Sequence, residues 1–119
     1  MTKRRFFRSF SFAAEGIATA LKQEQNSKFH VFAGFVVILA GTLTGLSTVE
    51  WLIVILLIGG MIALEMVNSA IERVVDLATT EIHPLAKQAK DMAAGAVLVF
   101  AVASAIIGLI IFLPKWFNL

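Results

Sequence analysis

Long apolar stretches dominate this sequence and restrict it to very few folds. Three of them occur, at about residues 31–49, 51–70 and 92–113. A helix needs roughly 20 apolar residues to cross the hydrocarbon core of a bilayer, so each stretch predicts a membrane-spanning helix. The second stretch qualifies only if Glu65 lies at or inside the membrane. The first two stretches are joined by a few residues around positions 47–50, which predicts a tight helical hairpin.

Composition supports a membrane protein and excludes several other classes. Hydrophobic residues make up 59% of the 119 residues and charged residues 15%, whereas soluble domains have about 45–50% and about 25%. The sequence contains no Cys, which excludes disulfides and thiolate chemistry. The net charge of +2 is too small to indicate a nucleic-acid partner. We therefore expect one all-α integral membrane domain over residues 1–119.

The segment before the first span predicts an amphipathic helix on the membrane surface, at about residues 5–22. Its apolar residues recur at spacings of three and four, namely Phe6, Phe10, Ala13, Ile17 and Leu21. A cleaved signal peptide is the alternative for a basic start, but the long segment with two acidic residues disfavours it.

The distribution of cations predicts the orientation of the spans. Six cations precede the first span, three lie between the second and third spans, and one follows the third. Cytoplasmic segments carry an excess of Lys and Arg. The N-terminus and residues 72–91 are therefore expected in the cytoplasm of a multi-pass plasma-membrane protein, with the C-terminus outside the cell.

One polar stripe continues from the second span into the cytoplasm. Glu65, Asn68, Glu72 and Asp76 fall within about 80° of arc on a helix and extend over about 16 Å. Asp76 alone is explained by solvation, and Asn68 by a contact between helices. Glu65 is harder to explain in this way, because it has apolar neighbours on both sides. Ionisable groups inside a span are functional candidates by default.

The cytoplasmic segment after this stripe adds acids and cations. Pro84 is expected to open a short helix that runs into the third span. The charged residues around it are Glu81, His83, Lys87, Lys90 and Asp91. Acids and cations at one interface are the groups that bind Mg²⁺ together with phosphate. A P-loop enzyme is excluded, because the sequence has no Walker-type glycine loop.

Small residues predict how the helices associate. The pair Gly59–Gly60 and the Ala-rich start of the third span permit close helix packing. Three helices cannot easily enclose a polar stripe, so we expect oligomers. A non-enzymatic membrane scaffold or a channel is the alternative class, but in a pore the polar residues would continue along whole spans.

Two motifs resemble the small prokaryotic diacylglycerol kinase family. They are Glu65-x-x-Asn68-Ser-Ala-Ile-Glu72-x-x-Val75-Asp76 and Ala89-Lys90-Asp91-Met-Ala-Ala-Gly-Ala-Val97. The resemblance extends over the whole chain. It implies a homotrimeric membrane kinase that transfers the γ-phosphate of Mg-ATP to a lipid hydroxyl. Its active sites would lie between protomers at the cytoplasmic interface.

The resemblance also implies roles for individual residues. Glu65 would be the catalytic base, Asn68 would orient it, and Glu24 and Glu72 would hold the metal ion. The implied ATP-binding residues are Arg5, Phe12, Glu24, Glu72, Asp76, Glu81, His83, Lys90 and Asp91. The implied lipid-binding residues are Arg5, Glu65 and Ala94. Phe12 replaces the tyrosine of the Gram-negative branch, so this position has no hydroxyl group.

Further segments resemble the Gram-positive branch, whose members are similar to undecaprenol kinases. They are residues 90–97, the run Ile-His-Pro-Leu-Ala at 82–86 and the start Arg-Phe-Phe-Arg-Ser-Phe at 5–10. The resemblance thus implies undecaprenol as the lipid alcohol, with diacylglycerol as the alternative.

Overall fold

A computed structural model of the chain describes residues 2–119 and is helical throughout this range apart from short connections. The helices are α1 (Lys3–Gln23), α2 (Gln25–Thr44), α3 (Thr48–Ala78) and α4 (Pro84–Phe117). Helices α2, α3 and α4 are long and apolar enough to cross a membrane. The predicted all-α fold with three candidate spans is confirmed.

A single non-helical residue, Glu24, connects α1 to α2. Its backbone is extended, with φ −104° and ψ 116°. It nevertheless continues the hydrogen bonding of both helices, because its N–H donates to the Ala20 carbonyl (2.9 Å) and its carbonyl accepts from the Lys28 N–H (3.3 Å). At the other end of α1, the Thr2 hydroxyl accepts a hydrogen bond from the Arg5 N–H. Glu24 is therefore the joint between α1 and α2.

The connection between α2 and α3 corrects the expected first span. The uncharged stretch 31–49 is not one helix, because α2 starts earlier, at Gln25, and ends at Thr44. Gly45 ends it in the left-handed conformation (φ 82°), which a residue without a Cβ adopts easily. A capping box then starts α3, in which the Ser47 hydroxyl accepts from the Glu50 N–H and the Glu50 carboxylate accepts from the Ser47 N–H.

Helix α4 begins where the sequence predicts it. Pro84 occupies its first turn, and His83 Nδ1 caps it by accepting a hydrogen bond from the Leu85 N–H at 3.1 Å. The helix then runs without interruption to Phe117, so the expected short cytoplasmic helix and the third span form one 34-residue element.

The packed interior lies between α2, α3 and α4. Its centre is formed by Val54, Ile111 and Phe112. At the hairpin end, Trp116 Nε1 donates to Thr44 Oγ1 at 2.9 Å and Lys115 pairs with Glu50 at 3.0 Å. The last turns of α4 are thus tied to the hairpin between α2 and α3.

Only one member of the glycine pair on α3 lies at a close contact. A Cβ on Gly60 would lie 2.7 Å from Phe100 Cζ on α4, whereas a Cβ on Gly59 would meet nothing within 4 Å. The absence of a side chain at Gly60 therefore allows α3 and α4 to approach each other.

Candidate active site

The polar stripe of α3 runs from the interior of the helix bundle to its surface. Glu65 is 3% exposed and Asn68 is 8% exposed. Glu72 is half-buried, and Asp76 is exposed. A buried carboxylate therefore lies at the inner end of a row of polar groups that reaches the surface.

His30 of α2 is the ionisable side chain that faces Glu65. Its Nε2 lies 3.5 Å from Glu65 Oε2, and the two side chains are 19% and 4% exposed. The periodicity of α3 could not reveal this contact, because His30 belongs to another helix. A signal is present in α2 itself, since Ser27, His30 and Gly34 lie three and four positions apart on the buried side of an otherwise apolar helix.

The two acids expected to hold the metal ion have different partners. Glu24 Oε1 lies 2.9 Å from Arg73 Nη2 of α3, which also donates to Gln23 Oε1 at 3.0 Å. Glu72 Oε1 accepts a hydrogen bond from Asn68 Nδ2 at 3.4 Å. Arg73 therefore fixes the α1–α2 joint beside the segment of α3 that carries Glu72.

The two polar atoms of the Asn68 side chain differ in their contacts. Its amide nitrogen donates to Glu72, one turn further along α3. Its Oδ1 is buried and has no hydrogen-bond partner within residues 2–119. The contact of Asn68 is thus with one of the expected metal ligands, and its expected role of orienting Glu65 stays a prediction.

Lys90 connects α4 to the outer end of the stripe. Its Nζ donates to Asp76 Oδ1 on α3. This hydrogen bond raises the pKa of Lys90, and the negative charges of Asp76 and Glu72 act in the same direction. Lys90 precedes the apolar stretch 92–113 and is a cation at neutral pH. Next to it, Asp91 pairs with Lys87 one turn earlier on α4.

The other residues that the family resemblance implicates lie at the surface of the protein. All of them are exposed: Arg5 and Phe12 on α1, Glu81 and His83 in the connection before α4, and Ala94 on α4. Among the described residues, no hydrogen bond or ion pair joins Arg5, Glu81 or His83 to the stripe. Nor does any group of three or more His, Cys, Asp or Glu side chains within residues 2–119 have the arrangement of a metal site.

An apolar cavity of about 310 Å³ lies between α2, α3 and α4. His30 lines it on the side of Glu65, and Phe112 lines it towards the hairpin. Its polar lining residues are His30 and Ser104. The buried carboxylate therefore lies next to a residue that lines this apolar space, and the polar row leads from it to the surface.

Comparison with known proteins identifies sequence relatives over most of the chain. The family model described as prokaryotic diacylglycerol kinase matches residues 11–112. The chain is 58% identical over 111 residues to the undecaprenol kinase of Bacillus subtilis, and the aligned region covers 93% of this chain and 90% of that protein. It is 39% identical over 112 residues to the diacylglycerol kinase of Synechocystis, covering 93% and 64% of the two chains. It is 37% identical over 97 residues to the diacylglycerol kinase of Helicobacter pylori strain J99, covering 81% and 75%.

Proposed function

The chain belongs to the prokaryotic diacylglycerol kinase family and is a multi-pass membrane lipid kinase, and from this premise we propose that it phosphorylates undecaprenol. The phosphoryl donor is ATP. The observation that carries the choice of lipid is the 58% identity to the undecaprenol kinase of Bacillus subtilis over nearly the full length of both chains. Diacylglycerol is the second candidate, because more distant relatives are named diacylglycerol kinases.

Glu65 is the proposed catalytic base. The lipid hydroxyl approaches it from the membrane, and the carboxylate accepts the hydroxyl proton as the oxygen attacks the γ-phosphorus. The bond to the bridging oxygen breaks, and ADP leaves. Glu65 is buried and contacts His30, which lines the apolar cavity. This supports the role, because a lipid substrate keeps its chain in the membrane while its hydroxyl group reacts.

The donor groups near the surface fit Mg²⁺ binding. Proteins usually bind Mg²⁺ through one or two carboxylates, and phosphate oxygens and water complete the coordination. Glu24 and Glu72 would supply two carboxylates. The buried Oδ1 of Asn68, which has no hydrogen-bond partner within residues 2–119, belongs to the side chain that already contacts Glu72. When bound, the ion would offset negative charge on the β- and γ-phosphates. Lys90, which lies close enough to Glu72 to be affected by its charge, supplies a further cation for the transferring group.

The nucleotide is proposed to bind between protomers of a homotrimer. Arg5, Phe12, Glu81, His83 and Asp91 are exposed, so nothing in the protomer prevents them from contacting ATP. Within residues 2–119, Arg5, Glu81 and His83 form no hydrogen bond or ion pair with the stripe, which supports a site that a second copy completes. Helix α1 is proposed to lie on the cytoplasmic membrane surface, since Phe6, Phe7 and Phe10 are exposed next to its basic start. The C-terminus would then lie outside the cell.

The decisive test compares two lipids and one substitution. Purified protein in mixed micelles receives ATP with a radioactive γ-phosphate and either undecaprenol or diacylglycerol. We expect a higher kcat/KM with undecaprenol, and a higher value with diacylglycerol would reverse the assignment of the lipid.

Glu65→Gln keeps the shape of the side chain but cannot accept the proton, so kcat should fall by about 10²–10⁴-fold with ATP binding retained. Near-normal turnover of this variant would exclude Glu65 as the base.

A further inference from the structure

His30 is a half-buried titratable group that the proposed reaction does not yet use. It is the last ionisable residue of α2 before the uncharged stretch 31–49, and Glu65 lies 3.5 Å from it on α3. Burying a polar side chain is unfavourable unless it has a partner. In the helix bundle, the partner of His30 is the carboxylate proposed to accept the substrate proton.

The surroundings of His30 indicate a built polar site. Ser27 precedes it by one helical turn, is 1% exposed, and has an Oγ without a hydrogen-bond partner within residues 2–119. Across from α2, the buried polar residues of α3 are Glu65, Asn68 and Ser69. Polar residues thus accumulate on both helices where His30 meets Glu65, whereas the adjoining cavity is almost entirely apolar.

We propose that His30 is a positioning residue for phosphoryl transfer, and this role rests on the proposed function of Glu65. A carboxylate has two oxygens that accept hydrogen bonds. The imidazole Nε2 holds Oε2, and this leaves Oε1 for the proton of the lipid hydroxyl. A distance of 3.5 Å is long for a hydrogen bond, and such catalytic contacts often shorten only when substrate is bound. Holding the carboxylate matters, because a displacement of about 1 Å from the reactive geometry can lower a rate by about 10²-fold.

The first experiment separates positioning from simple stabilisation. His30→Leu removes the polar contact, and His30→Gln places an amide N–H close to the position of Nε2. We expect His30→Leu to lower kcat by about 10–100-fold with an unchanged KM for ATP, and His30→Gln to restore most of the activity. The matched control is Ser104→Ala, which removes the other polar group of the same cavity, a hydroxyl without a hydrogen-bond partner within residues 2–119, and should leave kcat unchanged. Equal losses in His30→Leu and Ser104→Ala would overturn the proposal, because they would assign the effect to the polarity of the cavity.

The second experiment asks whether His30 acts through Glu65. His30→Leu is combined with Glu65→Gln, and turnover is compared with that of Glu65→Gln alone. If His30 acts by holding the carboxylate, its removal should cause no further loss in this background. An equal fold loss in both backgrounds would show a structural role, and so would a lower thermal stability with normal kcat. Absence of transfer by the wild-type protein to both lipids would overturn the proposed function itself, and this outcome is visible before any variant is compared.

Discussion

The glycine pair on α3 allows a stability test in which one position is the control for the other. Gly59→Ala and Gly60→Ala introduce the same methyl group at adjacent positions of one helix. A Cβ at position 60 would lie 2.7 Å from Phe100 Cζ and 3.4 Å from Cε1 and Cε2, and a Cβ at position 59 would have no neighbour within 4 Å. Carbon atoms in contact normally lie about 3.5–4.0 Å apart. Either the Phe100 ring must withdraw by about 1 Å, or α3 and α4 must separate.

The expected difference follows from two opposing terms. Alanine is favoured over glycine in a helix by about 0.8–1.0 kcal/mol, and both variants gain this term. Over-packing of an interior costs typically about 1–3 kcal/mol, and only Gly60→Ala incurs it. The free energy of unfolding should therefore be lower for Gly60→Ala than for Gly59→Ala by about 1–3 kcal/mol.

This difference can be measured by unfolding the reconstituted protein with SDS and monitoring the loss of its near-UV circular dichroism, which reports tertiary packing. The tryptophans report directly, since Trp51 packs against the central core and Trp116 contacts Thr44. Equal stabilities of the two variants would refute the close approach of α3 and α4 at Gly60. A larger loss for Gly59→Ala would refute it as well and would locate the tight contact about 100° further around α3.

Three further predictions concern the metal ion, the orientation and the assembly. If Glu24 and Glu72 share one Mg²⁺, Glu24→Gln and Glu72→Gln should each raise the Mg²⁺ concentration needed for half-maximal activity. The double variant should not show the sum of both effects. An unchanged Mg²⁺ response would show that both acids are structural. A reporter fused after Leu119 should be extracytoplasmic, whereas a label at position 80 should be cytoplasmic, and finding both on one side would contradict three spans. Crosslinking in membranes should stop at the trimer, whereas an active preparation that is strictly monomeric would exclude sites shared between protomers.

The helices could be predicted from hydropathy more readily than their ends. Apolar length indicates how many helices cross the membrane, and α2, α3 and α4 were foreseeable in this way. The end of α2 was not, because Gly45 and the capping box of Ser47 and Glu50 lie within or next to an apolar run. Hydropathy measures transfer into lipid, whereas helix ends depend on local backbone hydrogen bonds. The start of α4 could be predicted from Pro84, because the fixed φ of proline favours the first turn of a helix whatever the hydropathy of the surrounding residues.

In the candidate site, too, the features within one helix could be predicted from the sequence, whereas the contacts between helices could not. One periodicity places Glu65, Asn68 and Glu72 on a single face of α3, since all three lie on one helix. The contacts of Glu65 with His30 and of Glu24 with Arg73 connect different helices and depend on how those helices pack. The partner of Asn68 was undetermined for another reason. Glu65 and Glu72 lie three residues before it and four residues after it, and only the rotamer selects between them.

The joint at Glu24 has a mechanical consequence for any motion of α1. Helix α1 is about 31 Å long at 1.5 Å per residue, so a tilt of about 10° around residue 24 would move its first turn by about 5 Å. Glu24 itself lies at the pivot and is fastened to α3 by Arg73, so the same tilt would hardly displace its carboxylate. Arg5 lies near the N-terminal end of α1, far from residue 24, and would move most. A tilt of α1 would thus displace Arg5 while the Glu24 carboxylate keeps its place beside Arg73.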